Sequence, residues 1–575
     1  MNGGSALRFF FSCFWSDFYY HYILNEIFYN FLGTMHLNIA FSGPAGSGIN
    51  TAWELLSELL AKKWYCVRVD KEYASVIKWN NNTMFVNISN DWKPYFSRKV
   101  QTFIALDKLA IEKISELFDL EEIIDLSTVN SPRKNTFAFA VAVEKLNLKH
   151  EEAEKILEEK WFFDKDKEWN LEALEEWIEF GKNHWWVKSD FSNDIWTPLS
   201  MQFGNNLIAD GAAKTWLEFY SAYPMTPSST IINWILKHSE ITFQQWEDEI
   251  AVSMMMLGAS YAWKRAMCGT SWWGFALMVE SLAFANQAEI WWVYVLSQRD
   301  GPSTGTPTFV AQWDLDIALN AWFGETKPIV LAPSTYEETY EMISWALNWS
   351  DVYQHPVMFL VDKTLSECLM SVDINELKEP EIRRGEIAKE SDSDEYLRYK
   401  DTESWVSPRA IPWTKNTLFI ATSYEHTESW ATNEDPKIKV QQMDKRARKM
   451  DTFKKEELKD WIAYETINPN AKKFFITWWI NRYPIEKVIS ENSDWWLIVM
   501  KVFQPFDESL RKFFKENEKQ IEKLLFVELN HDGSCERYIR TECGLTTDEW
   551  NKRIDHLRKF SLYPFMVEEI KEKIK

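Results

Sequence analysis

Glycine is scarce in this chain: 18 residues of 575, against a customary share of roughly 7%. Cysteine is sparse too. The six (Cys13, Cys66, Cys268, Cys368, Cys535, Cys543) are scattered, with no C-x-x-C pair. That pattern excludes an iron–sulfur or zinc motif within the chain and suits a reducing cytoplasm. Positive charge is in deficit: 64 Lys and Arg against 86 Asp and Glu leave a formal net charge of -22. A phosphate backbone or an anionic lipid surface needs a basic footprint, so neither nucleic acid nor membrane is expected as the main partner. A long uninterrupted apolar run is also lacking. The aromatic stretch at residues 1–34 is broken by Asp17, His21, Asn25 and Glu26, and it has neither the basic start nor the small-residue cleavage site of a signal peptide. Met35 stands directly before the first clean strand. Translation is therefore expected to begin there, with residues 1–34 a spurious or disordered leader.

What is present reads as a soluble α/β protein with 46% hydrophobic and 26% charged residues, too long for one core and sized for about three or four domains. His36 to Phe41 alternates like a strand and runs into a glycine-bearing loop. An amphipathic stretch, Asn50 to Lys63, and a strand-like Tyr65 to Val69 complete a β–loop–α–β unit. From Gly204 onward, apolar strand-like runs (Trp291 to Leu296, Pro328 to Ala332, Pro356 to Val361) alternate with helical stretches, as in a parallel, doubly wound sheet. Residues 386–465 are charged and turn-rich and read as an extended linker. A smaller α/β unit follows, including Phe474 to Ile476, Leu497 to Val502 and Leu525 to Glu528.

Four constellations carry chemistry. Gly43-x-x-Gly46-x-Gly48 lies between a strand and a helix, where backbone N–H groups and the helix dipole favour an anion. No Lys-[Ser/Thr] follows, so it is not a Walker loop, and a tight structural turn explains it equally well. Tyr223-Pro224-Met225-Thr226-Pro227-Ser228-Ser229 sets a hydroxyl between two φ-restricting prolines at a strand's C-terminal end, the edge where open α/β sheets bind ligands; a stiffened helix start capped by Ser228 or Ser229 is the simpler alternative. Glu247-Asp248-Glu249 heads an apolar helix, either merely complementing its dipole or offering one buried carboxyl to a cofactor ring nitrogen. Gln298-Arg299 runs into a Gly/Ser/Thr loop, suited to gripping a carboxylate with a guanidinium fork or simply to a surface ion pair.

Together these segments resemble the alpha subunit of 2-oxoacid:ferredoxin oxidoreductases, of the 2-oxoglutarate type with the gamma domain fused in front. The resemblance runs from Met35 through Ser-Gly-Pro-Ala-Gly-Ser-Gly at 42–48 and Tyr-Pro-Met-Thr-Pro-Ser-Ser at 223–229. It continues through Glu-Asp-Glu-Ile-Ala at 247–251, Phe-Ala-Leu-Met-Val-Glu at 275–280, Gln-Arg-x-Gly-Pro-Ser-Thr-Gly-x-Pro-Thr at 298–308 and Ala-Thr-Asn-Glu-Asp-Pro at 431–436. It implies a gamma domain (35–195), a pyrimidine-type thiamine-diphosphate domain (200–385) and, after the linker, a transketolase C-terminal-like domain (466–575). A separate beta subunit would hold Mg²⁺, the diphosphate end of the cofactor and a [4Fe–4S] cluster. By similarity Glu249 contacts the cofactor's aminopyrimidine, and Tyr223, Pro224, Thr270 and Ser271 line the cofactor. Thr226 and Arg299 hold the 2-oxoacid, and Gly43, Gly46, Ser47 and Gly48 shape the coenzyme A side. The implied reaction is coenzyme A-dependent oxidative decarboxylation in the cytoplasm, with electrons passed to ferredoxin. The assembly would be an alpha–beta heterodimer or its dimer, with 2-oxoglutarate favoured over pyruvate. A transketolase- or decarboxylase-like enzyme on the same cofactor is disfavoured, because no Gly-Asp-Gly followed by Asn-Asn stands in this chain.

One departure runs through the whole sequence. Tryptophan occurs 32 times, often where this family has glycine: Trp272 and Trp273 in the expected Thr-Ser-Gly-Gly-Gly loop, and Trp53, Trp64, Trp79, Trp216, Trp263, Trp313, Trp405, Trp413, Trp430 and Trp479 elsewhere. Positions that require positive φ or close backbone approach have no room for an indole. A single cause, UGA codons decoded as glycine in the source organism and rendered here as tryptophan, accounts for the excess and the deficit together. Genuine indoles at 272 and 273 would overpack the cofactor loop and imply a catalytically inactive assembly subunit.

Overall fold

The computed structural model describes residues 35–73, 81–90, 94–129, 133–160, 164–182, 191, 199–321, 324, 327–389, 396–458, 462–467 and 471–575. The 1–34 leader and Trp79 lie outside them. The protein is a multidomain α/β structure built, among the described residues, on three large sheets and a two-stranded one formed by Lys99–Val100 and Asp119–Leu120.

The first sheet has seven strands, in the order Ile123–Asp125, Thr102–Ala105, His36–Pro44, Asn81–Ser89, Cys66–Glu72, Leu369–Asp373 and Leu199–Phe203. The last two flank the second unit in sequence, yet they extend the first unit's sheet by antiparallel pairing with Cys66–Glu72 and with each other. An open sheet edge presents unpaired N–H and C=O groups, and these strands satisfy them. The two units thereby share a seam.

The second sheet runs Thr242–Gln245, Phe219–Ala222, Ala266–Thr270, Val293–Gln298, Val357–Asp362, Ile329–Leu331 and Val502–Gln504. Its first six strands are parallel, and the last joins antiparallel. Val293–Gln298 and Val357–Asp362 are buried at every residue, the near-continuous burial of a sheet covered on both faces. From Phe219–Ala222 the chain moves outward to Thr242–Gln245, then crosses back to Ala266–Thr270. The strand order therefore reverses between Phe219–Ala222 and Ala266–Thr270.

The third sheet carries Tyr464–Ile467, Trp495–Met500, Lys473–Trp478, Lys523–Glu528 and Ile554–Arg558, parallel except for its first strand. Gln312 ties it to the second unit. The Gln312 N–H donates to the Leu529 carbonyl at 2.8 Å. Its Oε1 accepts from Leu529 N at 2.8 Å and Asn481 Nδ2 at 2.9 Å, and its carbonyl accepts from Asn530 Nδ2 at 2.9 Å.

The segment expected to be an extended linker contains a 21-residue helix, Pro436–Glu456, capped by Asp435. Its periodicity is hidden because the buried face is mostly polar and cationic: Gln442, Lys445, Arg446 and Lys449 precede Phe453. Lys445 Nζ donates to both oxygens of buried Glu289 at 2.5 and 2.8 Å, and Arg446 makes a two-pronged pair with Glu425 at 3.0 and 2.8 Å. Such burial is tolerated only with partners in place.

Among the described residues, twelve non-glycine residues have positive φ, and seven of them are tryptophan: Trp64, Trp216, Trp263, Trp405, Trp413, Trp430 and Trp479. Three sit just past helix ends in the bonding pattern that ordinarily selects glycine. Trp64 N–H donates to Ala61 O while Tyr65 N–H reaches Leu60 O; Trp216 to Ala213 O with Leu217 to Ala212 O; Trp263 to Ser260 O with Lys264 to Ala259 O. Gly544 does the same work after the helix Ser534–Cys543. Trp53 and Trp313 do not belong to this group: the first is a buried residue inside the helix Ile49–Lys62, and neither has positive φ.

Candidate functional site

The reversal in strand order marks where an open α/β sheet has a crevice at its carboxyl edge. Tyr223–Ser229 leaves one flanking strand and Thr270–Ser271 ends the other. They meet through Met225, whose sulfur accepts the Ser271 hydroxyl at 3.3 Å. The first loop turns at residues 226–228 before the helix Ser229–Ile235 begins. Ser228 stands at its N-cap, but its hydroxyl turns back to the Met225 carbonyl at 2.8 Å instead of capping the helix. Tyr223 is left 38% exposed at the crevice.

Glu249 begins the helix Glu249–Tyr261, on the far side of the same crevice. Of the three acids in sequence, Asp248 is the cap: its carboxylate accepts the Ala251 N–H at 2.7 Å. Glu247 is exposed. Glu249 is turned inward, 4% exposed, and its Oε1 is buried without a hydrogen-bond partner among the described residues. Burial pushes this carboxyl above the usual carboxylate range, and the Asp248 charge adds to the shift. A hydrogen bond to a neutral ring acceptor is what such a group lacks.

Gly274 explains how the wall behind Glu249 closes. A Cβ at this position would stand 2.3 Å from Thr270 Oγ1 and 2.5 Å from Glu249 Oε1, so only glycine lets the helix Trp272–Gln287 start so near the carboxyl. Trp272 and Trp273 have no positive φ; their effect is bulk. The Trp272 ring lies across the loop mouth toward Gly301, whose Cβ would be 3.3 Å from Trp272 Cζ2. Trp273 stands T-shaped to it at 5.7 Å.

Arg299 follows the neighbouring strand Val293–Gln298. Its Nη1 donates to the Thr226 carbonyl at 2.9 Å, so the two expected substrate residues meet. Arg299 is 7% exposed. Burial lowers its pKa, opposed by the Asp314 carboxyl. Asp314 had no distinguishing signal in the sequence. It is buried, its backbone N–H donates to Gln298 Oε1 at 2.8 Å, and its Oδ2 lacks a partner among the described residues. Burial drives its pKa well upward despite Arg299.

The glycine loop stands elsewhere. Gly43 ends the strand His36–Pro44 in the first sheet, Gly46 has φ 84°, and Gly48, at φ 74°, is the N-cap of the helix Ile49–Lys62. Ser47 Oγ is buried there without a hydrogen-bond partner among the described residues.

A family model described as the thiamine-diphosphate-binding domain of pyruvate flavodoxin/ferredoxin oxidoreductases matches residues 210–446, which include the whole crevice. The chain is similar to the alpha subunits of 2-oxoacid:ferredoxin oxidoreductases in sequence and in fold. The alpha subunit of 2-oxoacid:ferredoxin oxidoreductase 1 from Sulfurisphaera tokodaii is 31% identical over 391 residues, 64% of this chain and 60% of that one. The KorA subunit of 2-oxoglutarate synthase from Methanocaldococcus jannaschii is 37% identical over 163 residues, 28% of this chain and 44% of its own. This chain thus spans no more than 60% of the length of these curated relatives. The 2-oxoglutarate:ferredoxin oxidoreductase of Magnetococcus marinus, solved with 2-oxoglutarate, coenzyme A and succinyl-CoA, superposes with a TM-score of 0.83 at 25% identity. That likeness covers 94% of this chain and all of that one.

Proposed function

We propose that this chain is the alpha subunit of a coenzyme A-dependent 2-oxoacid:ferredoxin oxidoreductase, acting on 2-oxoglutarate ahead of pyruvate. The observation that carries this reading is the buried, unpartnered Glu249 carboxyl at the switch-point crevice, inside the matched cofactor domain. The substances bound in the Magnetococcus structure support the choice of substrate.

The residues fit thiamine diphosphate. Glu249 would hold a proton against the pyrimidine ring nitrogen, the orphaned Oε1 being the atom in need of that partner. Tyr223, Pro224, Thr270 and Ser271 would flank the ring. When bound, the cofactor supplies the electron sink for loss of CO₂ from a 2-oxoacid. Arg299 would grip the oxoacid's carboxylate and Thr226 its neighbourhood. Glycine at 272 and 273 would open the space that the indoles fill. In this reading a separate beta subunit contributes Mg²⁺, the diphosphate contacts and a [4Fe–4S] cluster, and ferredoxin is the acceptor. The chain divides into a gamma-type unit (35–195), a pyrimidine-type unit (200–385) and a transketolase C-terminal-like unit (466–575). Gly43, Gly46, Ser47 and Gly48 belong to the coenzyme A side. The assembly is cytoplasmic; no helix among the described residues is long and apolar enough to cross a membrane.

The test is oxoacid- and coenzyme A-dependent ferredoxin reduction by the chain reconstituted with its beta subunit. Glu249→Gln is expected to lower kcat by about 10²–10⁴, the usual worth of a positioned acid–base group. Turnover unchanged by that substitution would overturn the assignment.

A further inference from the structure

Among the described residues, six helices carry aspartate at the N-cap. Asp107, Asp248, Asp362, Asp435 and Asp507 each accept a backbone N–H of the first turn, as this position asks. Asp314 stands at the same place before the helix Leu315–Asn320, and its side chain caps nothing. It is buried, and its Oδ2 has no hydrogen-bond partner among the described residues. A buried carboxyl that leaves the nearest N–H groups unused still needs a proton or a counter-charge.

Its place is fixed from the strand that leads to Arg299. The Asp314 N–H donates to Gln298 Oε1 at 2.8 Å, and Gln298, fully buried, directly precedes Arg299. Arg299 spends Nη1 on the Thr226 carbonyl at 2.9 Å, while its buried Nε, like Asp314 Oδ2, has no hydrogen-bond partner among the described residues. Each charge acts on the other, yet neither of these two atoms is engaged. A guanidinium locked in a two-pronged pair would have little left for a substrate carboxylate; this one is free to change partner.

The other charged groups on the surrounding elements are turned to partners of their own. Asp300 accepts the Thr306 hydroxyl, and Asp316 pairs with Arg537 at the surface. On the neighbouring strand's end Asp362 accepts the Leu365 N–H at 2.7 Å and Lys363 donates to the Lys71 carbonyl at 2.8 Å. From the third unit, Glu528 accepts the Cys535 and Glu536 N–H groups, each at 2.9 Å, and Arg482 pairs with Glu465 and Glu486. Across the crevice the charge that bears on Glu249 is that of Asp248. Arg299 is the one charge opposing the burial of Asp314, and burial prevails, holding that carboxyl well above the usual carboxylate range.

We infer that Asp314 is the counter-ion that Arg299 exchanges for the oxoacid's carboxylate, and that it takes up a proton from solvent as the substrate binds. This rests on the functional reading above and deepens it: Asp314 is a positioning residue that makes oxoacid binding proton-coupled. When a second carboxylate reaches the guanidinium, one buried cation cannot balance two anions, and the like charge favours protonation of the carboxyl already desolvated. No bond within the substrate changes in this step; a single proton passes from water to Asp314 and the guanidinium changes partner. The oxoacid therefore binds the protonated form, and its capture weakens as pH rises through the pKa of Asp314 in the free enzyme.

The experiment follows kcat and kcat/KM for 2-oxoglutarate in the reconstituted alpha–beta enzyme from about pH 6 to about pH 9, for wild type, Asp314→Asn and Asp314→Glu. In wild type kcat/KM is expected to fall by about tenfold per pH unit on its alkaline limb, the slope of a single proton, while kcat, which reports the complex with substrate, shows no such limb in this range. The limb should be missing from Asp314→Asn and kept in Asp314→Glu. Thermal unfolding of each variant separates lost proton coupling from lost fold, and the wild-type contrast between kcat/KM and kcat decides the matter even where a variant does not fold. A limb that persists in Asp314→Asn belongs to another group, such as Glu249, and overturns the inference; so does a limb shared by kcat, or none at all. Each of those results leaves the functional reading standing. A wild-type complex inactive on 2-oxoacids would overturn both.

Discussion

Replacing Trp216 or Trp413 by glycine is expected to stabilise the protein, although each substitution removes the largest side chain in the repertoire. Trp216 is 60% exposed and Trp413 fully exposed, so little burial is lost. Both have positive φ, 59° and 75°, where a Cβ crowds the adjoining carbonyl oxygen and costs about 1–2 kcal/mol. Glycine removes that strain but loses more chain entropy on folding, so the net gain is about 1 kcal/mol per site. In a unit of this size that corresponds to a rise in Tm of about 2–4 °C. Thermal and urea unfolding of the single variants measures it, with Trp313→Gly as the control. Trp313 is similarly placed at the surface, 39% exposed, but without positive φ, so its replacement should bring no gain. If Trp216→Gly and Trp413→Gly destabilise as much as Trp313→Gly, the backbone does not ask for glycine and the recoding argument loses its physical basis. Summed over the seven tryptophans with positive φ, the strain reaches about 7–14 kcal/mol, comparable to the roughly 5–15 kcal/mol by which a domain is stable. That sum is why recoding, and not tolerance of tryptophan, is the expected explanation.

The peptide spanning Ala266 to Arg299 from native-source protein should carry glycine masses at 272 and 273; tryptophan masses would favour an inactive assembly subunit. Arg299→Ala should reduce kcat/KM for the oxoacid by about 10²-fold or more, through loss of the charge-assisted hold on its carboxylate, and an unchanged value would remove Arg299 from the site. His355 is buried, its Nε2 2.6 Å from the Lys327 carbonyl, and burial lowers its pKa from 6.5 to about 4. The unfolded chain therefore binds that proton first, and stability falls as pH drops from 6.5 toward about 4, by about 3 kcal/mol. Urea midpoints at pH 7 and pH 5 should converge in His355→Gln relative to wild type; identical pH slopes would contradict the assignment. Gln312→Ala strands the buried Leu529 N–H and Asn481 amide that its side chain satisfies, and should cost about 2–4 kcal/mol. Unfolding that matches wild type would show that the second and third units are not held together through Gln312.

The sequence by itself determined the layered α/β architecture, because apolar runs of strand length alternating with helical stretches admit few other folds. It also carried the resemblance to 2-oxoacid:ferredoxin oxidoreductase alpha subunits, because Tyr223–Ser229, Glu247–Glu249 and Gln298–Thr308 are contiguous motifs whose residues stay local in the folded chain. It singled out Trp64, Trp216, Trp263, Trp405, Trp413, Trp430 and Trp479 as misplaced, and the left-handed backbone is the cause at each. At 272 and 273 crowding takes the place of φ. The helix Pro436–Glu456 was not legible, since its inward face is made of cations whose carboxylate partners, Glu289 and Glu425, lie elsewhere in the chain. Tertiary structure alone decided which of three adjacent acids is buried: Asp248 takes the cap, and that commits Glu249 to the interior. It alone set Asp314 beside Arg299 and brought Lys71, more than two hundred residues upstream, against Lys363. Periodicity and motif report what a segment does with its own neighbours. A strand that leaves one unit to complete another's sheet, as Leu369–Asp373 does, is decided by unsatisfied hydrogen bonds at a distant edge, which no local pattern encodes.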